Sequence, residues 1–156
     1  PTKRVLGVIR PSAEEIGFLT ESKHIGILGT NGTIQSDSYR IELQKYAPEI
    51  IVSQHACPMW VPLIENNAYD TSAGKMLIEN DVQKLMRQDP KIDAIILACT
   101  HYPILQEQIQ KIVGEKIKVI SHYIFYRVVS CRFWVLTKHS YCGFNKSIKY
   151  IFIRYK

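Results

Sequence analysis

The stretch Ile95-Ile-Leu-Ala-Cys99-Thr-His101-Tyr-Pro-Ile104 sets the fold class of this 156-residue chain. A β-prone apolar run stops at Cys-Thr-His and then passes through Pro103-Ile-Leu-Gln-Glu-Gln-Ile109 into helical spacing, which reads as a strand followed by a helix N-terminus. Open α/β sheets place their chemistry at that junction. Free N–H groups and the partial positive charge of a helix start favour a thiolate, and a neighbouring imidazolium adds to the effect. Cys99 is therefore a candidate acid/base or nucleophile.

Working outward, residues 1–121 alternate strand and helix. Val5–Ile9, His24–Gly29, Ile50–Ala56, Asp93–Ala98 and Lys116–Ile120 read as strands. Helical stretches are expected from a capped start at Ser12-Ala-Glu-Glu-Ile16, over Thr33–Tyr46, after Pro58 at a first helical position, over Ser72–Gln88 and over Pro103–Val113. Met76, Leu77, Val82, Leu85 and Met86 form the apolar side expected for the Ser72–Gln88 helix. Near-continuous apolar strands between amphipathic helices predict an α/β fold, a mostly parallel sheet of about five strands with helices on both faces. Such a sheet brings Gly29-Thr30-Asn31-Gly32-Thr33, Cys57-Pro58 and Cys99-Thr100-His101 to one edge, each as a strand-to-helix turn. The glycine loop matches neither a Walker loop nor G-x-G-x-x-G, and by itself it reads as a tight turn with a capping threonine.

Charge divides the chain at residue 121. Residues 1–121 carry 13 Lys+Arg against 14 Asp+Glu, whereas 122–156 carry seven Lys+Arg and no carboxylate, so the tail accounts for the net charge of +6. Ten of the sixteen aromatic residues also fall in the tail. The basic pI therefore gives no reason to expect a nucleic-acid partner for the front part. The tail has no clean helical or strand period. It is read as read-through from a shifted reading frame or a truncated gene rather than as a basic-aromatic appendage for nucleic acid or membrane, so the domains are taken as 1–121 and 122–156.

Cys57, Cys99, Cys131 and Cys142 show no C-x-x-C pair and no zinc-finger spacing, so neither a disulfide framework nor a metal is expected. Cys57 reads as structural, because Pro58 removes one N–H donor that would support a thiolate. His24 and His55 read as polar-edge residues rather than ligands. No run reaches the length of a membrane span, and the opening apolar run is too short for a signal peptide, so no membrane association and a cytoplasmic location are expected. The start at Pro1 suggests upstream sequence.

Four segments in order then carry a resemblance: Gly7-Val-Ile9, Leu28-Gly-Thr-Asn-Gly-Thr-Ile-Gln-Ser-Asp-Ser-Tyr39, Ala56-Cys-Pro-Met-Trp-Val-Pro-Leu-Ile-Glu65 and Ile96-Leu-Ala-Cys-Thr-His-Tyr-Pro-Ile-Leu105. Together they resemble the later half of bacterial glutamate racemases. The resemblance implies one lobe of a two-lobe, cofactor-independent enzyme that makes D-glutamate for peptidoglycan, with one catalytic cysteine from each lobe. By the same resemblance Cys99 is the second of these cysteines, Thr100 and His101 contact substrate, His101 assists proton transfer, Glu65 lies near that histidine, and Thr30 is a further substrate contact. A small-molecule substrate, glutamate, and a homodimer are the partners expected. The family's Asp-Ser and Cys-Asn-Thr segments have no counterpart, so the chain is expected to carry one of the two cysteines and to be weak or inactive alone. Aspartate and hydantoin racemases are the nearest alternatives within enzymes, and a non-catalytic binding remnant is the alternative of another class.

Overall fold

The computed structural model describes Ile16 and residues 19–121. Four strands, β1 (His24–Gly29), β2 (Ile51–Ala56), β3 (Ala94–Ala98) and β4 (Lys118–Ser121), form one sheet in the order β2-β1-β3-β4. Every pairing is parallel, with Ile27 opposite both Gln54 and Ile96, and Ile96 opposite Ile120. The described sheet thus has four strands rather than five. The expected strand Val5–Ile9 and the helix start at Ser12 lie outside the described residues, as does the whole of 122–156.

Side-chain alternation along the strands divides the interior into two layers. Ile25, Ile27, Ala94, Ile96 and Ile120 point to one face, where Tyr39 and Leu43 of helix α2 (Ser38–Tyr46) and Ile16 cover them. Leu28, Ile95, Leu97 and Val119 point to the other. There they meet Trp60 of α3 (Trp60–Glu65), Ile78, Val82 and Leu85 of α4 (Ser72–Gln88), and Ile109 of α5 (Gln106–Val113). β3 is buried along its whole length, as its unbroken Ala-Ile-Ile-Leu-Ala run requires. Gly26 lets α4 press onto β1, since a Cβ there would stand 2.6 Å from Leu85 Cδ2.

The helices correct the sequence reading in four places. The expected helix Thr33–Tyr46 is two helices, α1 (Asn31–Gln35) and α2, because Asp37 takes a left-handed conformation with φ 51°. The Ser36 hydroxyl donates to Thr33 O, and Gln54 Nε2 reaches Asp37 Oδ1 at 2.5 Å, so the break is anchored to β2. Pro58 does not open a helix, since α3 starts at Trp60. Pro62 occupies its third position instead, inside the first turn, where a missing N–H costs no intrahelical bond. Pro103 lies in a 3₁₀ turn, Tyr102–Leu105, and the α-helix begins only at Gln106. Finally, α4 keeps its expected bounds but turns differently, with Met76 exposed and Ile78 buried. Thr71 caps it by accepting from Gly74 N at 3.1 Å.

Candidate active site

Chain direction reverses at β1: the chain leaves β1 for β2 on one side, and β3 and β4 are laid down on the other. In an open parallel sheet a ligand crevice forms outside the carboxyl ends of the strands at such a switch point. Gly29 ends β1 opposite Ala56 of β2 and Ala98 of β3, so the next residues, Thr30, Cys57 and Cys99, leave the sheet side by side. Cys57 N donates to Gly29 O at 2.8 Å, which extends the ladder by one bond.

The two cysteines at this edge differ in every respect that matters for reactivity. Cys57 is fully buried, and its thiol lies 3.9 Å from His55 O. Burial, and then the Asp81 carboxylate, push that thiol far above the ordinary thiol range, so it stays protonated at neutral pH. Cys99 is only partly buried, with its Sγ 3.8 Å from Nδ1 of His101. The other ring nitrogen of His101, Nε2, lies 3.6 Å from Glu65 Oε1. Thiol, imidazole and carboxylate thus stand in line at the end of β3. The imidazole is 41% and the carboxylate 61% exposed, which leaves the line open on its outer side. A contact this exposed adds little stability, at most about 1 kcal/mol, but it orients the ring. Native-state alkylation with iodoacetamide, read by peptide mapping, is expected to modify Cys99 and spare Cys57 until the chain is unfolded; equal rates at the two thiols would contradict this geometry.

Tertiary packing holds Glu65 in place. Trp60, at the start of α3, is fully buried; its ring centroid lies 4.9 Å from that of Tyr102 and its Nε1–H donates to Asp81 Oδ2 at 3.0 Å. Tyr102, next to His101, donates its hydroxyl to Cys57 O at 3.0 Å. Burial is the main cause that pushes the Tyr102 phenol up, so it remains a donor at any ordinary pH. Trp60 and Tyr102 therefore lock together the segments that carry Glu65 and His101.

The structure brings Cys99, His101 and Glu65 together. Thr100 is exposed in the turn between Cys99 and His101. The Thr30 side chain accepts from Thr33 N as the cap of α1 and lies 3.0 Å from the Thr33 hydroxyl. The turn after Cys99 is shorter than expected, a four-residue 3₁₀ segment, so the His101 ring rather than a long helix dipole is the close partner of the thiol. The sequence reading passed over Trp60, Asp81 and Tyr102. A signal for Asp81 exists: with Ile78, Val82 and Leu85 it falls on the buried face of α4, where an acidic residue calls for a partner.

A match to the Asp/Glu/Hydantoin racemase family spans residues 2–122. The chain belongs to that family. Among its relatives are the glutamate racemases of Streptococcus suis and Enterococcus faecalis, each 40% identical over 117 residues. That overlap is 75% of this chain but 43% and 42% of those proteins, so the chain spans less than half the length of the curated relatives it matches. Among solved structures, glutamate racemase isoform RacE1 from Bacillus anthracis superposes with a TM-score of 0.75 at 33% identity, over 89% of this chain and 53% of that one. The Francisella tularensis glutamate racemase in complex with D-glutamate gives a TM-score of 0.63 at 26% identity, over 86% of this chain and 49% of that one. The all-parallel sheet with helices on both faces is thus the architecture of a glutamate racemase lobe.

Proposed function

We propose that residues 1–121 are one lobe of a cofactor-independent glutamate racemase and supply one of its two proton-transfer sites. The Cys99 thiolate takes the α-proton of glutamate, leaving a planar carbanion whose electrons delocalise into the carboxylate. A thiol on the opposite face, from another lobe or a second copy of this chain, donates its own proton to that carbon and inverts the centre. His101 accepts and returns the Cys99 proton, Glu65 holds the ring, and Thr100 and Thr30 contact the substrate. The carrying observation is the Cys99–His101–Glu65 line, at 3.8 and 3.6 Å, set at the switch point of the sheet.

Glutamate is favoured over aspartate or hydantoin substrates by the 40% identity to glutamate racemases. On this reading the product is D-glutamate for peptidoglycan, made in the cytoplasm, and residues 122–156 stand outside the lobe, in keeping with a family match that ends at 122. The test is α-proton exchange followed by NMR in heavy water with glutamate and aspartate in parallel. Exchange with glutamate alone is expected. Exchange with neither would leave the non-catalytic binding remnant, and preference for aspartate would overturn the substrate.

A further inference from the structure

One nitrogen of His55, the sulfur of Cys57 and a carboxylate oxygen of Asp81 lie within 4.8 Å of one another. We propose that these three side chains bind a thiophilic divalent cation of the zinc class. Sulfur, imidazole nitrogen and carboxylate oxygen are the donor set such a cation takes, with bonds of about 2.0–2.3 Å that place neighbouring ligand atoms about 3–4 Å apart. His55 Nε2 and Asp81 Oδ1 already stand at 3.2 Å.

Three further observations support the site. Its charge balances once Lys84 has turned away: a thiolate and a carboxylate then offset a dication, so the filled site is itself neutral. Its carboxylate is held from behind, because Trp60 Nε1–H donates to Asp81 Oδ2, while Oδ1, now shared by His55 Nε2 and Lys84 Nζ, faces the cluster and would turn to the metal as Lys84 withdraws. It also has an entrance, since the His55 side chain is 19% exposed and Lys84, whose Nζ sits 3.3 Å from Asp81 Oδ1, is half-exposed and can swing into solvent. On binding, the Cys57 thiol gives up its proton to solvent. His55 presents the Nε2 lone pair, its ring proton residing on Nδ1, and water fills the fourth position. Sequence spacing pointed away from a metal because Asp81 reaches the other two ligands only through the packing of α4 against β2.

Cobalt(II) tests this by its spectrum. In the full chain with Cys99, Cys131 and Cys142 replaced by serine, one Co²⁺ per chain is expected to give a thiolate-to-metal charge-transfer band and the visible bands of a four-coordinate ion, both abolished by excess Zn²⁺. His55→Gln, at a partly exposed position on the sheet edge, is expected to keep the native circular dichroism and lose the bands, in this background and in the otherwise unaltered chain. No band when Cys57 is the sole thiol, or bands that survive both His55→Gln and Asp81→Asn, would overturn the site.

Discussion

Cys99→Ser is expected to slow α-proton exchange on glutamate by about 10²–10⁴-fold, the usual contribution of a positioned acid/base group. The reason is chemical rather than structural. A serine hydroxyl fills nearly the same space, but it does not ionise near neutral pH, so His101 is left beside a group that cannot take up the α-proton. Cys99 lies just past the end of β3 and is only partly buried, so the change is expected to alter stability by no more than about 0.5 kcal/mol. Exchange rates by NMR alongside urea unfolding separate the two effects. Cys57→Ser is the informative comparison: its thiol is buried and protonated, so exchange is expected to survive in whatever fraction remains folded. A Cys99→Ser chain that exchanges normally, or a folded Cys57→Ser chain that does not, would place the chemistry at the wrong cysteine.

The second large effect is expected at Trp60. Trp60→Ala removes the largest fully buried side chain among the described residues, with a typical cost of about 3–5 kcal/mol for a residue of this size. It also strips Asp81 Oδ2 of its donor, and an orphaned buried acceptor adds about 1–3 kcal/mol. A small domain has only about 5–15 kcal/mol in total, so most of the variant is expected to unfold at modest urea. Trp60→Phe keeps a ring against Tyr102 but loses the N–H and part of the indole volume, so its loss is expected to exceed that of the hydrogen bond alone and to stay below that of Trp60→Ala. A Trp60→Ala chain within about 1 kcal/mol of the parent would show that Trp60 does not tie α3 to α4, against the typical range for such truncations.

The centre of the sheet was legible because β1 and β3 are short apolar runs with nowhere to go but the interior. His24–Gly29 and Ser72–Gln88 have the bounds their patterns predict, and β3 differs by one residue. The split at Asp37 was hidden, since Ile34, Tyr39, Leu43 and Tyr46 keep helical spacing across a break that a left-handed backbone and a bond from Gln54 create. Met76 and Ile78 exchanged roles for a related reason: a helix stripe has a width, and the neighbours that select which edge of it is buried come from elsewhere in the chain.

The site divides the same way. Cys99 and His101 are two residues apart at a strand end, so their meeting is local and could be read directly. Glu65 came only with the resemblance, because its approach to His101 spans 36 positions and depends on Trp60 meeting Tyr102. The Asp81 contacts with His55 and Trp60 cross 26 and 21 positions and left no local trace beyond a carboxylate on an apolar helix face.

The most direct measurement is enantiomer-resolved deuterium incorporation: this chain alone with L-glutamate, and separately with D-glutamate, in heavy water, each product analysed for label and for configuration. A lobe with one thiol poised at the α-carbon predicts label entering one enantiomer with its configuration retained, and the label disappearing with Cys99→Ser. Rapid inversion of both enantiomers by the chain would contradict the single-site account, and absence of label from both would contradict a proton-transfer role for Cys99.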